Sequence, residues 1–270
     1  MSGSGAIPSC WICGSACRPF GRARILEKHD VDYFECNTCG FIETEEPYWL
    51  TEAYSSAITN SDIGLVGRNV TLARYTRNFI FALLDRDRTC LDYWGGYGLF
   101  VRLMRDYGVD FRLHEERCEN LFAQGFEADL KVSSRYELLT AFEVLEHCTR
   151  PMKELERMAQ LADTIAFTTE LLPARRPRPG EWWYYGPEHG QHVAIFTEPT
   201  LRYVAERLGM SLHRHTRFHI LTRKVLSERV LRLLRMRPVE AFLTWRYDRV
   251  STARSLLASD YERVTGRPLA

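Results

Sequence analysis

The sequence predicts an α/β protein built on a doubly wound sheet, with a small cysteine-paired module ahead of it and helices behind it. Three observations carry this. Short apolar runs alternate with helical patterns from Thr89 to Leu208. Three glycines, Gly95, Gly96 and Gly98, follow the first of those runs within four positions. Two C-x2-C pairs stand inside the first forty residues.

The cysteine pairs come first in the chain. Cys10 and Cys13 read CWICG, and Cys36 and Cys39 read CNTCG, so each pair runs straight into a glycine, Gly14 or Gly40. Such turns need a residue at positive φ, which glycine supplies. Four thiolates match the tetrahedral preference of structural Zn2+ and leave no open position, so the expected role is structural. The gap between pairs is 22 residues, and Val31–Glu35 within it alternates like a short strand. Cys17 is a bystander or a substitute ligand. This defines a zinc-ribbon module over residues 1–45.

Composition sets limits. Of the 270 residues, 45% are hydrophobic and 26% charged, and the formal net charge is +1, so no bulk electrostatic attraction to nucleic acid or an anionic membrane is expected. No apolar run reaches the roughly 18–20 residues of a membrane span. The opening MSGSGAIPS has no basic residue before an apolar core, which is not the pattern of a secretory signal. The chain is expected to be cytoplasmic; its oligomeric state is not legible.

The remaining elements follow in order. Thr44–Ser61, rich in aromatics and turn formers, is a connection, and Arg68–Leu84 has helical apolar spacing. Thr89–Tyr93, Val109–Glu115, Glu137–Phe142 and Thr164–Thr169 read as strands. Gly98–Asp106, Glu119–Gln124, Met152–Leu161 and Pro199–Leu208 read as helices, the last closed by Gly209. Ser211–Thr216 and Phe218–Arg223 read as an antiparallel pair, giving a main domain over 46–225. Residues 226–270 carry two arginine-rich helical patterns separated by Pro238. Right-handed crossovers then imply a doubly wound sheet with antiparallel final strands.

In such a sheet, ligands sit outside the carboxyl ends of the strands. The first strand runs into D-x-x-G-G-x-G, and Glu115 ends the next strand 23 residues after Asp92. A strand-end carboxylate about 20 residues past a glycine loop is placed to bind a ribose diol. This points to an adenosine-containing cofactor.

LDYWGGYGLF (91–100), Glu115 and TAFEVLEHCTRP (140–151) together resemble the class I S-adenosylmethionine-dependent methyltransferases over about residues 68–225. The resemblance implies a Rossmann-like fold and S-adenosyl-L-methionine as cofactor. It places Asp92, Tyr93, Gly95, Gly96 and Gly98 toward the methionine part and Glu115 at the ribose. Residues near Glu127–Leu130 would flank the adenine, and Phe142 and Glu143 would lie beside the sulfonium. Trp94 stands where the family usually has its first glycine. Its indole either turns away or stacks on a neighbour, or else it narrows the methionine pocket. FEVLEH followed by proline looks like the group that acts on small metabolites, so the expected partner is a small-molecule acceptor such as a sugar, nucleotide-sugar or secondary metabolite.

Two clusters could remove a proton from the acceptor. In a helical turn Glu143, Glu146 and His147 would share one face. In quinone O-methyltransferases a similar E-x-x-E-H motif is linked to a divalent cation; the preferred reading here is that Glu146 and His147 hold a turn. The second cluster is WWYYGPEHGQH (182–192). Its aromatics offer stacking walls, and a histidine near its ordinary pKa of about 6.5 can take a proton. His189 is the first choice of base, with His192 and Glu188 orienting it. Two alternatives stand beside this reading. An RNA methyltransferase is disfavoured by the near-neutral charge and by the lack of an Asn/Asp-Pro-Pro-aromatic signature. A non-catalytic binding protein has Trp94 as its sole support.

Overall fold

The chain is described from a computed structural model covering residues 8–54, 62–130 and 135–269. The polar N-terminal stretch 1–7 and the end of the expected connection, 55–61, lie outside the described residues.

In chain order the strands are β1 (Cys17–Ile25), β2 (His29–Cys36), β3 (Ile42–Thr44), β4 (Cys90–Tyr93), β5 (Phe111–His114), β6 (Leu139–Ala141), β7 (Thr164–Phe167), β8 (Ala194–Ile195), β9 (Ser211–Arg214) and β10 (His219–Thr222). The helices are α1 (Leu50–Ala53), α2 (Leu65–Leu83), α3 (Leu99–Asp106), α4 (Pro151–Leu161), α5 (Glu198–Leu208), α6 (Glu228–Leu234), α7 (Arg237–Arg254) and α8 (Leu257–Thr265). The chain divides into two compact units. One takes Met1–Thr59, Glu143–Arg157 and Thr168–Leu212; the other takes Asn60–Phe142, Met158–Phe167 and His213–Ala270. This division is discontinuous along the chain, unlike the linear partition 1–45, 46–225 and 226–270 expected from sequence.

The larger sheet has the order β5-β4-β6-β7-β10-β9. β4 pairs in parallel with β5 and β6, and β6 with β7, while β10 runs antiparallel to β7. The doubly wound sheet with an antiparallel end is therefore present. A single parallel bridge, Leu113↔Glu127, extends it beyond β5. α2 buries Leu72, Ala73, Thr76, Phe79 and Ile80, the three-and-four spacing of one helical face. α3 buries Phe100, Val101 and Met104, and Phe100 meets Phe111 edge-on at 5.4 Å.

The smaller sheet has the order β1-β2-β3-β8 and is antiparallel throughout. β1 is absent from the sequence reading. Its Pro19 and Gly21 read as breakers, but the register shift between them marks a bulge that absorbs both. The hairpin turns at Leu26 and Glu27, with φ of 52° and 59°. Positive φ at both central residues is usually signalled by Asn-Gly, so this turn gave no sequence cue.

Two expectations are corrected. Glu119–Gln124 is not a helix. Its amides go elsewhere: Leu121 and Phe122 both donate to the Tyr97 carbonyl, and Ala123 donates to Asn120 Oδ1. The C-terminal segment forms three helices instead of two, and Pro238 lies in the first turn of α7, where a missing N–H costs nothing. α8 is held by Arg105, which is buried and pairs with Asp260 at 2.7 Å and also with Asp110. Among the described residues no helix is long and apolar enough to cross a membrane.

Candidate active site

The cradle is built where β4 ends. Asp92 is buried, and its Oδ1 accepts from Thr140 Oγ1 at 2.6 Å. Burial pushes its carboxyl up to about 7, against the Thr140 hydrogen bond, with the Glu115 charge adding to the rise. A Cβ on Gly95 would stand 2.1 Å from Asp92 Oδ2, so the carboxyl lies directly against the glycine backbone. Gly96 and Gly98 have φ of 58° and 82°.

Trp94 also has positive φ, 55°, so its backbone adopts the turn that a glycine would make there. For a bulky residue this costs about 1–2 kcal/mol. Its N–H donates to the His114 carbonyl at 2.7 Å. The indole is stacked on a neighbour, one of the arrangements expected for it. The ring lies nearly parallel to Tyr93 at 5.7 Å, with the Arg117 guanidinium 4.6 Å from it.

Glu115 is tied into the same loop. Its Oε2 accepts from Gly96 N–H at 2.9 Å, and Oε1 accepts from the N–H groups of Glu116, Arg117 and Cys118. Four donors fill the roughly four lone-pair sites of a carboxylate. A ribose diol bound there would replace one or more of them. Phe142 packs edge-on against Phe100 at 5.1 Å.

In the other unit, Glu143 sits at φ 55°, and its N–H donates to Thr168 Oγ1 while that hydroxyl donates to Glu143 Oε1. Leu145–His147 is a single 3-10 turn, so the expected α-helical face of Glu143, Glu146 and His147 does not form. The trio with ligand atoms close together is instead Glu146, His147 and His192, all within 4.8 Å. Tyr184 organises it. Its hydroxyl donates to Glu146 Oε1 at 2.7 Å, and its carbonyl accepts from His192 Nδ1 at 2.5 Å. His147 Nδ1 bonds the Gln191 carbonyl at 3.1 Å. A carbonyl only accepts, so both Nδ1 atoms carry protons and both lone pairs lie on Nε2. Burial, then the neighbouring His147, push His192 well below the ordinary histidine range, so its ring is neutral at pH 7.

His189 is arranged differently. Its Nδ1 accepts from Gln191 N–H at 3.1 Å, which puts the proton on Nε2. A Cβ at Gly186 would fall 2.1 Å from that nitrogen. Burial lowers His189, and Glu188 opposes this through charge. Glu188 itself is exposed, and the Gln191 backbone orients the ring. Tyr184, Gln191 and Thr169, whose hydroxyl lies 3.2 Å from that of Tyr184, are site residues that sequence reasoning missed. Tyr184 was visible only as one aromatic in a run; nothing in the sequence pairs it with Glu146.

The four cysteines assemble as expected. All their sulfurs lie within 4.8 Å, with Cys10–Cys39 at 3.7 Å and Cys13–Cys36 at 3.3 Å. A zinc with bonds of about 2.3 Å sets tetrahedral sulfurs about 3.8 Å apart. Gly14 and Gly40 have φ of 74° and 70°, and the N–H groups of Ile12, Thr38 and Cys39 point at ligand sulfurs. The donor set fits a structural Zn2+. Cys17 stands beside the buried Glu43, with Sγ 3.9 Å from its Oε1.

The same unit shows what this module supports. Trp49 Nε1 donates to the Gly190 carbonyl and Gln191 Nε2 to the Ala53 carbonyl, each at 2.8 Å. Leu26 N–H donates to the Pro187 carbonyl and Thr44 N–H to that of Val193. The histidine loop is thus held by the ribbon at Leu26 and Thr44 and by the α1 segment at Trp49 and Ala53.

A parallel sheet with a glycine loop leaving a central strand and a carboxylate closing it defines a nucleotide-cofactor-binding fold. The family described as "Methyltransferase domain" matches residues 68–215, more than half of the chain. The chain belongs to the methyltransferase-domain family. Among the solved structures it is similar to, three share 14% identity with it. An O-methyltransferase family protein from Burkholderia thailandensis gives a TM-score of 0.44, over 64% of this chain and 66% of that one. CalO1, a methyltransferase in calicheamicin biosynthesis solved in its SAH-bound form, gives 0.44 over 58% and 53%. TnmH gives 0.45 over 65% and 60%. This chain therefore spans between about half and two thirds of the length of those structures. No curated protein matches the chain.

Proposed function

We propose that this chain is an S-adenosylmethionine-dependent methyltransferase acting on a small-molecule acceptor such as a sugar, nucleotide-sugar or secondary metabolite. The observation that carries the reading is the cradle: Asp92 against Gly95, and Glu115 on Gly96, at the carboxyl ends of adjacent parallel strands. In this reading the glycine loop holds the methionine part, Glu115 exchanges backbone donors for ribose hydroxyls, and Phe142 lies beside the sulfonium.

Methyl transfer is an in-line displacement in which the acceptor proton must leave. His189 has its Nδ1 lone pair engaged by Gln191 N–H, whereas His192 and His147 have their Nδ1 protons held by backbone carbonyls, so that Nε2 is the basic nitrogen of each. Acceptor activation is therefore assigned to Glu146, His147 and His192, with His189 supporting the loop.

Calorimetry with S-adenosylhomocysteine tests the reading; no heat of binding to the zinc-loaded chain overturns it. The variant Trp94→Gly separates it from a non-catalytic relative. Because Trp94 already makes the loop turn, the variant is expected to bind S-adenosylhomocysteine within about threefold of the parent, a difference under 1 kcal/mol. Affinity appearing only in the variant would mark the native chain as degenerate.

A further inference from the structure

We propose that Glu146, His147 and His192 form a divalent-cation site of the zinc class, separate from the four-cysteine centre, with an open position for an oxygen of the acceptor. Its use on an acceptor rests on the methyl-transfer reading above; the cation site itself does not.

The donor types come first. Two imidazoles and one carboxylate are the set that holds zinc with one position left open, whereas four thiolates close the coordination sphere. The three ligand atoms lie within 4.8 Å of one another. Bonds of about 2.0–2.1 Å set tetrahedral donors about 3.4 Å apart, so the trio would draw in by at most about 1.4 Å on binding.

The surroundings are those a bound cation requires. Ligating histidines donate their other ring N–H to a carbonyl or carboxylate, which fixes the tautomer and aims the lone pair. His147 does this to the Gln191 carbonyl and His192 to the Tyr184 carbonyl. Glu146 is fully buried, and Tyr184 Oη holds its Oε1, orienting the carboxylate as an outer-shell donor would. Tyr184 thus positions two of the three ligands at once. A cation beside a carboxylate this deeply buried would also offset the cost of its desolvation.

The ligand set differs from the one sequence spacing offered. Glu143 is engaged with Thr168, and His192, 45 positions beyond His147, takes its place. No local motif could have named it.

Cobalt binding to the full-length chain tests the proposal, after metal removal under reducing conditions. Two Co2+ per chain are expected. One should show the intense near-ultraviolet bands of thiolate ligation; the other should show weak visible bands only. His192→Gln and His147→Gln should each lose the second equivalent, with the thiolate bands unchanged as a report on folding. Tyr184→Phe should weaken the second equivalent by 10–100-fold, the range for losing an outer-shell partner. Glu143→Gln should leave it in place. A folded protein that takes one equivalent, with thiolate bands alone, overturns the site, as does a second equivalent that survives His192→Gln. Loss of the second equivalent in Glu143→Gln overturns the ligand set. S-adenosylhomocysteine titrated into zinc-loaded His192→Gln, which keeps the four-cysteine centre filled, reports on the cofactor reading separately, because failure there leaves the cobalt result standing.

Discussion

Two buried titratable side chains carry opposite pH signatures. Asp92 has its folded carboxyl raised to about 7 by burial. A group raised in the folded state contributes fully below its ordinary value near 4, and that contribution is lost as pH rises through 7. Asp92→Asn should therefore be more stable than the parent at pH 8, by about 2–4 kcal/mol, with the gain gone at pH 4. Urea unfolding at the two pH values measures this, and cofactor affinity should fall in the same variant. His215 runs the other way. Its ring stacks on Phe218 at 4.3 Å, neither nitrogen has a hydrogen-bond partner, and burial, then Arg235, hold it down to about 4. Its folded value lies below its unfolded one, so stability is lost as pH falls from about 6.5 toward 4. His215→Phe should flatten that acid limb, removing a loss of about 3 kcal/mol.

The glycine loop shows what an element's sequence can and cannot announce. D-x-x-G-G-x-G was legible because glycine is what a left-handed turn and a close approach require. Gly95→Ala would drive a methyl into Asp92 Oδ2 at 2.1 Å and Leu113 Cδ1 at 2.7 Å. It should cost about 1–3 kcal/mol in stability, and S-adenosylhomocysteine affinity should drop at least tenfold by calorimetry. The same reasoning missed the β1–β2 turn, since Leu26 and Glu27 are residues that rarely adopt positive φ. It also placed a helix over Glu119–Gln124, where side chains and the Tyr97 carbonyl take the amides that a helix would use. Periodicity reports which face is buried; it is blind to side chains that compete for the backbone. That is why the cysteine pairs and the parallel strands were readable, while Tyr184 and His192 as partners of Glu146 were not.

At the level of the whole molecule, contacts far apart in sequence set the architecture. Arg105 on α3 reaches Asp260, 155 residues on, and both are buried. Arg105→Met removes the shared cation but leaves Arg102 on Asp260 and Arg112 on Asp110, and should cost about 1–3 kcal/mol, read as a lowered melting temperature. Adding Asp260→Asn to that variant should recover part of the loss. The small sheet shows the same principle. Its fourth strand is β8, whose Ala194 and Ile195 pair with Glu43 and Ile42 on β3. The ribbon is thus no bead threaded ahead of an enzyme. A shortened chain starting at residue 46 would strip β8 of its neighbour and cut the bonds from Leu26 and Thr44 to the segment that carries His189 and His192, leaving those of Trp49 and Ala53. An inactive truncation would therefore be no evidence that the ribbon touches an acceptor; a scaffold and a recognition module would fail alike. Only point changes on the ribbon's outer surface, with all four sulfurs kept, can tell the two apart.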